Sequence, residues 1–182
     1  MVDNRSNVGA RISSRRTLRS DNFCRMFRNG HYALASTACR RSGRFRQARI
    51  CDAYLLQEKA GLVSITAGAA RKKAFLTAAN ALSACARESP SKQEQERLTC
   101  YEAAGDCYLE ARDHKRAGDS YRSAELYDKS ARAYEEGGRV DEMVEVFTQY
   151  KINSVLHVQL VEAARIHYCK VRFNGRLVCS YL

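Results

Sequence analysis

Ala104-Gly105-Asp106-Cys107-Tyr108 returns thirteen residues later as Ala117-Gly118-Asp119-Ser120-Tyr121. A further step of thirteen reaches Ser130-Ala131-Arg132-Ala133-Tyr134, and one more reaches Met143-Val144-Glu145-Val146-Phe147. In each block a small or apolar residue stands four positions before the aromatic residue. Because positions i, i+4 and i+7 share one face of a helix, each block predicts a short helix with a small–aromatic stripe.

The period also predicts how these helices are assembled. Thirteen positions hold about ten residues of helix, roughly 15 Å long, and about three of turn. Helices this short are unstable alone and must pack on their neighbours, and tight turns make consecutive helices antiparallel. We therefore predict an all-α fold of antiparallel helical-hairpin repeats, an α-solenoid. The residues assigned to the repeat core are Tyr32, Phe45, Ala48, Ala104, Tyr108, Ala117, Tyr121, Ala124, Tyr134 and Phe147.

Glycines mark some of the expected turns. Gly30 and Gly43 are thirteen residues apart, and each is followed two positions later by an aromatic residue. Gly138 stands in the same frame before Val140. Glycine suits the left-handed position that closes a helix, so each of these residues predicts a helix end.

The rest of the chain is less periodic. The pattern predicts helices over about residues 66–88 and 92–111, joined by a loop at Ser89-Pro90-Ser91 and preceded by a turn near Gly61. A last helix is expected from Asn153 or Ser154 to about Tyr168. Residues 170–179 resemble a β-hairpin with an Asn174-Gly175 turn, and an irregular tail is the alternative.

The positive charge is concentrated at one end. Residues 1–50 contain twelve arginines, no lysine and two aspartates, a net charge of +10 out of +11 for the whole chain. Residues 1–21 are predicted to be a disordered Arg/Ser-rich tail, residues 22–152 the repeat domain, and residues 153–182 a C-terminal helix with its tail. The tail is open to three interpretations: a flexible lead-in, an electrostatic contact with nucleic acid or anionic lipid, or a mitochondrial presequence.

The sequence offers no constellation of residues that predicts catalysis. The eight cysteines form no C-x2-C pair, so we interpret them as reduced thiols and expect no metal site. No phosphate-binding loop or nucleophile triad is recognisable, and we expect no enzyme activity, catalytic residue or cofactor. No apolar run is long enough to span a bilayer, and no secretory h-region follows Met1. We therefore expect an intracellular protein, cytoplasmic or nuclear, with mitochondrial targeting as the alternative.

The order of these features resembles the tetratricopeptide-like helical-repeat superfamily. More narrowly, it resembles the helical region of fungal UvrD-like helicases and of tetratricopeptide and ankyrin repeat-containing proteins. The carrying residues are Phe27-x-x-Gly30-x-Tyr32-x-x-Ala35-x-x-x-Cys39-x-x-x-Gly43, Ala53-Tyr54-Leu55-Leu56-x-Glu58-x-Ala60, Arg71-Lys72-x-Ala74-Phe75-x-x-Ala78-Ala79, Tyr101-x-x-Ala104-Gly105-Asp106-Cys107-Tyr108 and Ala131-x-x-Tyr134-x-x-Gly137-Gly138-x-x-Asp141-Glu142. The chain has no Trp and no repeat-end Pro, and it contains no motor domain. The resemblance therefore implies an isolated repeat region of a larger helicase-like protein, without its ATPase.

Three hypotheses about function follow from the sequence. The first is a non-catalytic scaffold that binds a peptide, a helix or another domain of a parent chain. The second is an accessory module that contacts nucleic-acid phosphates through Arg15, Arg16, Arg40, Arg41 and Arg44. The third is a truncated remnant with no independent activity.

Overall fold

The computed structural model describes residues 24–150 and 154–174, and every regular element in that part of the chain is helical. Residues 24–28 form a helical turn before the first complete helix. The helices that follow are α1 (Tyr32–Arg41), α2 (Phe45–Leu62), α3 (Gly68–Glu88), a 3-10 turn (Ser91–Gln93), α4 (Glu94–Glu110), α5 (His114–Ser123), α6 (Tyr127–Glu136), α7 (Val140–Gln149) and α8 (Ser154–Asn174). The all-α prediction is confirmed for this part of the chain.

Each helix packs against the next one along the chain. Short turns reverse the chain, so that residues near a turn face each other across it. Ser36 of α1, for example, donates a hydrogen bond to Asp52 of α2 over 2.6 Å. Alanine and cysteine side chains occupy much of the interface, among them Ala78, Ala104 and Cys107, which are fully buried. Small side chains let the helix axes approach closely, which accounts for the alanine-rich composition.

The buried residues fall into two clusters. The larger cluster runs from α2 to α6 around Phe75, Leu82 and Tyr121 and includes Ala133 of α6. The smaller one joins α6, α7 and α8 around Tyr134, Met143 and Leu160. The last helix thus continues the stack, and its buried positions Leu156, Leu160 and Ala164 recur every four residues, as one face of an α-helix requires.

Two expectations about individual residues and segments are wrong, and one is off by a residue or two. Lys170–Asn174 continues α8 and does not form a strand, because the helical pattern of this segment outweighs the local Asn-Gly turn signal. The turn expected near Gly61 is present, but it begins after Leu62, and Gly61 itself lies in the last turn of α2. Phe45, placed in the repeat core, is 67% exposed, because it begins α2 and its side chain lies outside the layer that Ala48 and Cys51 fill.

The predicted N-terminal tail and the part of the predicted hairpin beyond Asn174 lie outside the described residues. Within the part of the chain that is described, no helix is both long and apolar enough to cross a membrane.

Candidate functional site

The repeated Gly-Asp pair of α4 holds a tyrosine of the next helix. The ring of Tyr121 lies against Gly105 so closely that a Cβ atom on Gly105 would be 2.7 Å from Cε1 of the ring. The hydroxyl of the same ring donates a hydrogen bond to Oδ1 of Asp106 over 2.6 Å. Glycine makes room for the ring and the neighbouring aspartate accepts its hydroxyl, so the pair fixes how α5 lies on α4.

The same arrangement recurs one helix later. Tyr134 of α6 packs on Gly118, where a Cβ atom would be 2.5 Å from its ring, and it donates to Oδ1 of Asp119 over 2.6 Å. Burial, and then the hydrogen bond to the carboxylate, raise the pKa of Tyr134 above its ordinary value, as they do for Tyr121. We call these two Tyr–Gly–Asp contacts tyrosine locks. They are what the recurrence of Gly-Asp and Tyr every thirteen residues corresponds to in the structure.

The locks stop where the sequence changes. One period after Gly118 and Asp119 stand Ala131 and Arg132, which offer neither the same space nor a carboxylate. The aromatic residue that would complete the unit is Phe147, which has no hydroxyl and instead meets His157 edge-on at 5.3 Å. Loss of the acceptor and loss of the donor therefore coincide.

The turns between units also repeat, including two that the sequence does not mark with glycine. Gly30, Gly43 and Gly138 have positive φ angles, as the sequence predicts. Arg112 and Glu125 have φ angles of 59° and 61°. They stand twenty-six and thirteen residues before Gly138 and so occupy the same position of the 13-residue frame as that glycine. In each case the next residue donates its N–H to a carbonyl five positions earlier, as Leu126 does to Tyr121 over 2.9 Å.

A groove opens on the side of the helix stack formed by α2 and α4. Its volume is about 420 Å³, and its floor includes the buried Ala103. The residues that line it are Tyr32, Tyr54, Gln57, Glu58, Thr99, Glu102, Ala103 and Asp106. The Tyr54 hydroxyl donates to the Thr99 carbonyl over 3.4 Å, which joins α2 directly to α4 across the base of the groove. Sequence reasoning does not find this groove, because its walls are far apart along the chain.

The groove combines stacked aromatic rings with negative charge. The rings of Tyr32 and Tyr54 stack with their centroids 5.4 Å apart. Three carboxylates, from Glu58, Glu102 and Asp106, line the groove, and none of its lining residues is basic. Burial raises the pKa of Tyr32, and the Glu58 carboxylate raises it further. Burial also raises the pKa of Tyr54, so both hydroxyls stay neutral at ordinary pH.

Of the five arginines proposed to contact phosphates, the structure describes Arg40, Arg41 and Arg44. Arg40 is paired with Asp52, which uses much of its charge locally. Arg41 is exposed near the end of α1, and Arg44 precedes the first residue of α2. Arg15 and Arg16 lie outside the described residues, so the structure brings together only the three that flank the α1–α2 turn.

The cysteines of the described residues are free thiols. Cys39, Cys51, Cys85, Cys100 and Cys107 are buried, whereas Cys24 and Cys169 are exposed. Burial raises the pKa of Cys51, Cys100 and Cys107 to about 12, which keeps these thiols protonated and poorly nucleophilic. No group of three potential ligands that could hold a metal ion is found among the described side chains.

The other predicted repeat-core residues are placed as follows. Ala48, Ala104, Tyr108, Ala117, Tyr121, Ala124 and Tyr134 are buried, and Tyr32 and Phe147 are half-buried. Tyr108 donates to Asn80 of α3 over 2.8 Å, a partner outside the 13-residue frame. The sequence pattern does not predict a role for Asp106 and Asp119, although the two aspartates stand thirteen residues apart.

Comparisons of the chain with protein-family models, with curated proteins and with solved structures find no match. Any functional assignment therefore depends on the groove and on the helices that form it.

Proposed function

We propose that the protein is a non-catalytic helical-repeat scaffold, an α-solenoid, that binds a segment of another protein along the side formed by α2, α4 and α6. The groove between α2 and α4 is the observation that carries this proposal. It is open to solvent, its walls are helices rather than loops, and it offers both aromatic and charged groups to a ligand. A surface of this kind suits an extended peptide or a helix.

Contacts between alternate helices support the solenoid arrangement. Lys129 of α6 reaches Glu102 of α4 over 2.6 Å, and on the opposite side Arg122 of α5 reaches Glu145 of α7 over 3.4 Å. These two contacts join α4 to α6 and α5 to α7, and they support a stack of helical hairpins in two rows. The row that contains α2 and α4 then forms one continuous surface that continues to α6.

The tyrosine locks support the binding role through rigidity. In each lock the tyrosine ring fills the space above a glycine, and its hydroxyl has an aspartate as hydrogen-bond acceptor. Neighbouring helices therefore have one preferred relative position. A binding surface that is already ordered before the partner arrives loses less entropy when it binds. The relation to a larger helicase-like protein stays a prediction.

The proposal is tested by affinity capture from host extract with the 182-residue chain as bait. We expect one protein in near-stoichiometric amount, retained after nuclease treatment. Recovery of nucleic acid alone would favour the arginine-based alternative, and recovery of chaperones alone would favour the truncated remnant; either result would refute the scaffold.

A matched pair of variants locates the binding surface. Thr99 and Thr77 are both exposed helical threonines whose hydroxyls donate to the carbonyl four residues earlier, at 2.7 and 2.9 Å. Only Thr99 lines the groove. Thr99→Arg should abolish capture of the partner, whereas Thr77→Arg on α3 should leave it unchanged. Equal capture by both variants would remove the groove from the proposal.

A further inference from the structure

A cationic side chain already lies at one edge of the groove. Nζ of Lys129 donates to Oε1 of Glu102 over 2.6 Å and lies 5.6 Å from the centroid of the Tyr121 ring. The hydroxyl of that ring is the one bound to Asp106, which also lines the groove. The chain therefore places an ammonium group between a carboxylate and an aromatic face at this edge.

The opposite wall offers the same chemical groups without a basic residue among them. Tyr54 and Glu58 are four residues apart on α2 and so share one face of that helix, with Tyr32 stacked on Tyr54. Glu58 is exposed, and its carboxylate is close enough to Tyr32 to raise the pKa of the Tyr32 hydroxyl. None of the described residues that line this wall carries a positive charge to balance Glu58.

We infer that the groove between α2 and α4 binds a partner segment through its arginine side chains. One guanidinium lies against the Tyr32–Tyr54 pair and pairs with Glu58, and the next approaches Glu102 and Asp106. This inference rests on the proposed function and adds the chemical class of its ligand.

Arginine fits this site better than the other charged side chains. Its guanidinium is planar, stacks on aromatic rings and offers a fork of donors to a carboxylate, whereas lysine offers a compact, strongly hydrated charge. An acidic segment would place its carboxylates against three others. The net charge of +11 opposes the approach of any cationic peptide, so binding must come from local contacts in the groove.

The test measures the fluorescence anisotropy of a fluorescein-labelled peptide of alternating arginine and glycine as the 182-residue chain is added. The control peptide replaces each arginine by citrulline, which keeps the planar shape and removes the charge. We expect saturable binding of the arginine peptide and at least about tenfold weaker binding of the citrulline peptide, the scale of a few cooperating ion pairs.

Variants then assign the binding to the groove. Glu58→Gln and Glu102→Gln should each weaken the arginine peptide about threefold, and together about tenfold. Glu135→Gln, at an exposed carboxylate of α6 outside the groove, should have no effect. Lys129→Gln releases Glu102 from its internal partner and should tighten binding. Asp106 is left unchanged because it accepts the Tyr121 hydrogen bond.

Equal affinity for the two peptides would overturn the inference, as would wild-type affinity in the Glu58→Gln/Glu102→Gln double variant or the absence of saturable binding. A protein partner that is captured normally by that double variant but lost with Thr99→Arg would refute arginine recognition while leaving the scaffold function intact. Loss of the partner with the double variant and also with Thr99→Arg would support both arginine recognition and the scaffold function.

Discussion

The hydroxyl of Tyr134 donates a hydrogen bond to Asp119, which lies fifteen residues earlier in the chain and 2.6 Å away in space. The same spacing and the same distance separate Tyr121 from Asp106. A hydrogen bond that repeats with the sequence period links the pattern of residues to the stacking of helices, and each lock has a glycine beneath its ring.

The glycine beneath Tyr134 should be intolerant of even one added methyl group. In Gly118→Ala the new Cβ would be 2.5 Å from the ring, which is fully buried and has no space to retreat. We expect the overpacking to outweigh the better helix propensity of alanine and to lower the free energy of unfolding by about 1–2 kcal/mol. Urea denaturation followed by circular dichroism measures this change.

Gly61→Ala is the matched control for that substitution. Gly61 also lies in a helix, but nothing stands within 4 Å of its added Cβ. The substitution should therefore raise the free energy of unfolding, by up to about 1 kcal/mol. Gly118→Ala as stable as Gly61→Ala would show that the Tyr134 ring does not need the glycine.

Removing the hydroxyl of Tyr134 tests the other half of the lock. Tyr134→Phe loses a part-buried hydrogen bond to a carboxylate, and we expect a loss of about 1–2 kcal/mol of unfolding free energy. In a double-mutant cycle with Asp119→Ala the two losses should be strongly non-additive, because each residue is the other's partner. Additive losses would mean that the hydrogen bond contributes nothing to stability.

The sequence predicts the locks only in part. The equal spacing of the tyrosines and the small residues four positions before them suffice to predict short helices with one buried face. The identity of the acceptors does not follow from helical periodicity, because Asp106 reaches Tyr121 across a turn and from another helix. In the next repeat, Arg132 stands in place of the aspartate and Phe147 in place of the tyrosine. Because the two changes occur together, they indicate that the aspartate and the tyrosine are partners.

The groove could not be predicted from the same pattern. Tyr54 and Thr99 meet across forty-five residues of chain, and their contact depends on how the longer helices α2, α3 and α4 pack. The 13-residue period does not predict the lengths of those helices, each of which is longer than one period. Local signals also mislead: Asn174, the first residue of the expected Asn-Gly turn, is the last residue of a helix that extends through the expected first strand.

Two turns should gain stability from glycine. Arg112 and Glu125 occupy the left-handed region, which costs an L-residue with a Cβ about 1 kcal/mol or more. Arg112→Gly and Glu125→Gly should each raise the free energy of unfolding by about 0.5–1 kcal/mol, the net of relieved strain and a more flexible unfolded chain. Gly138→Ala should lower it by a similar amount. Thermal unfolding ranks the three variants, and a loss of stability with either glycine substitution would contradict the turn assignment.

Stability should decline in alkaline solution. Burial raises the pKa of Cys51, Cys100 and Cys107 to about 12 in the folded protein, and the pKa values of Tyr121 and Tyr134 are raised as well. These groups stay protonated when folded but ionise in the unfolded chain, so their contribution is complete at neutral pH. It is lost as pH rises above about 9 for the thiols and about 10 for the phenols.

Urea denaturation at increasing pH checks this expectation. The free energy of unfolding should be nearly constant between about pH 7 and 8 and then fall steadily. Tyr134→Phe should reduce the part of the fall above about pH 10, since one ionising phenol is gone. An unfolding free energy that stays constant to about pH 11 would show that these groups are not shielded from solvent.

The most direct test of the scaffold function is site-specific photo-crosslinking in host cells. A benzoylphenylalanine residue is placed at Gln57 in the groove or, as the control, at Thr77 on α3. We expect a crosslink to one protein from position 57 and none from position 77. Crosslinks to that protein only from position 77, or no protein crosslinked from position 57, would contradict a binding surface between α2 and α4.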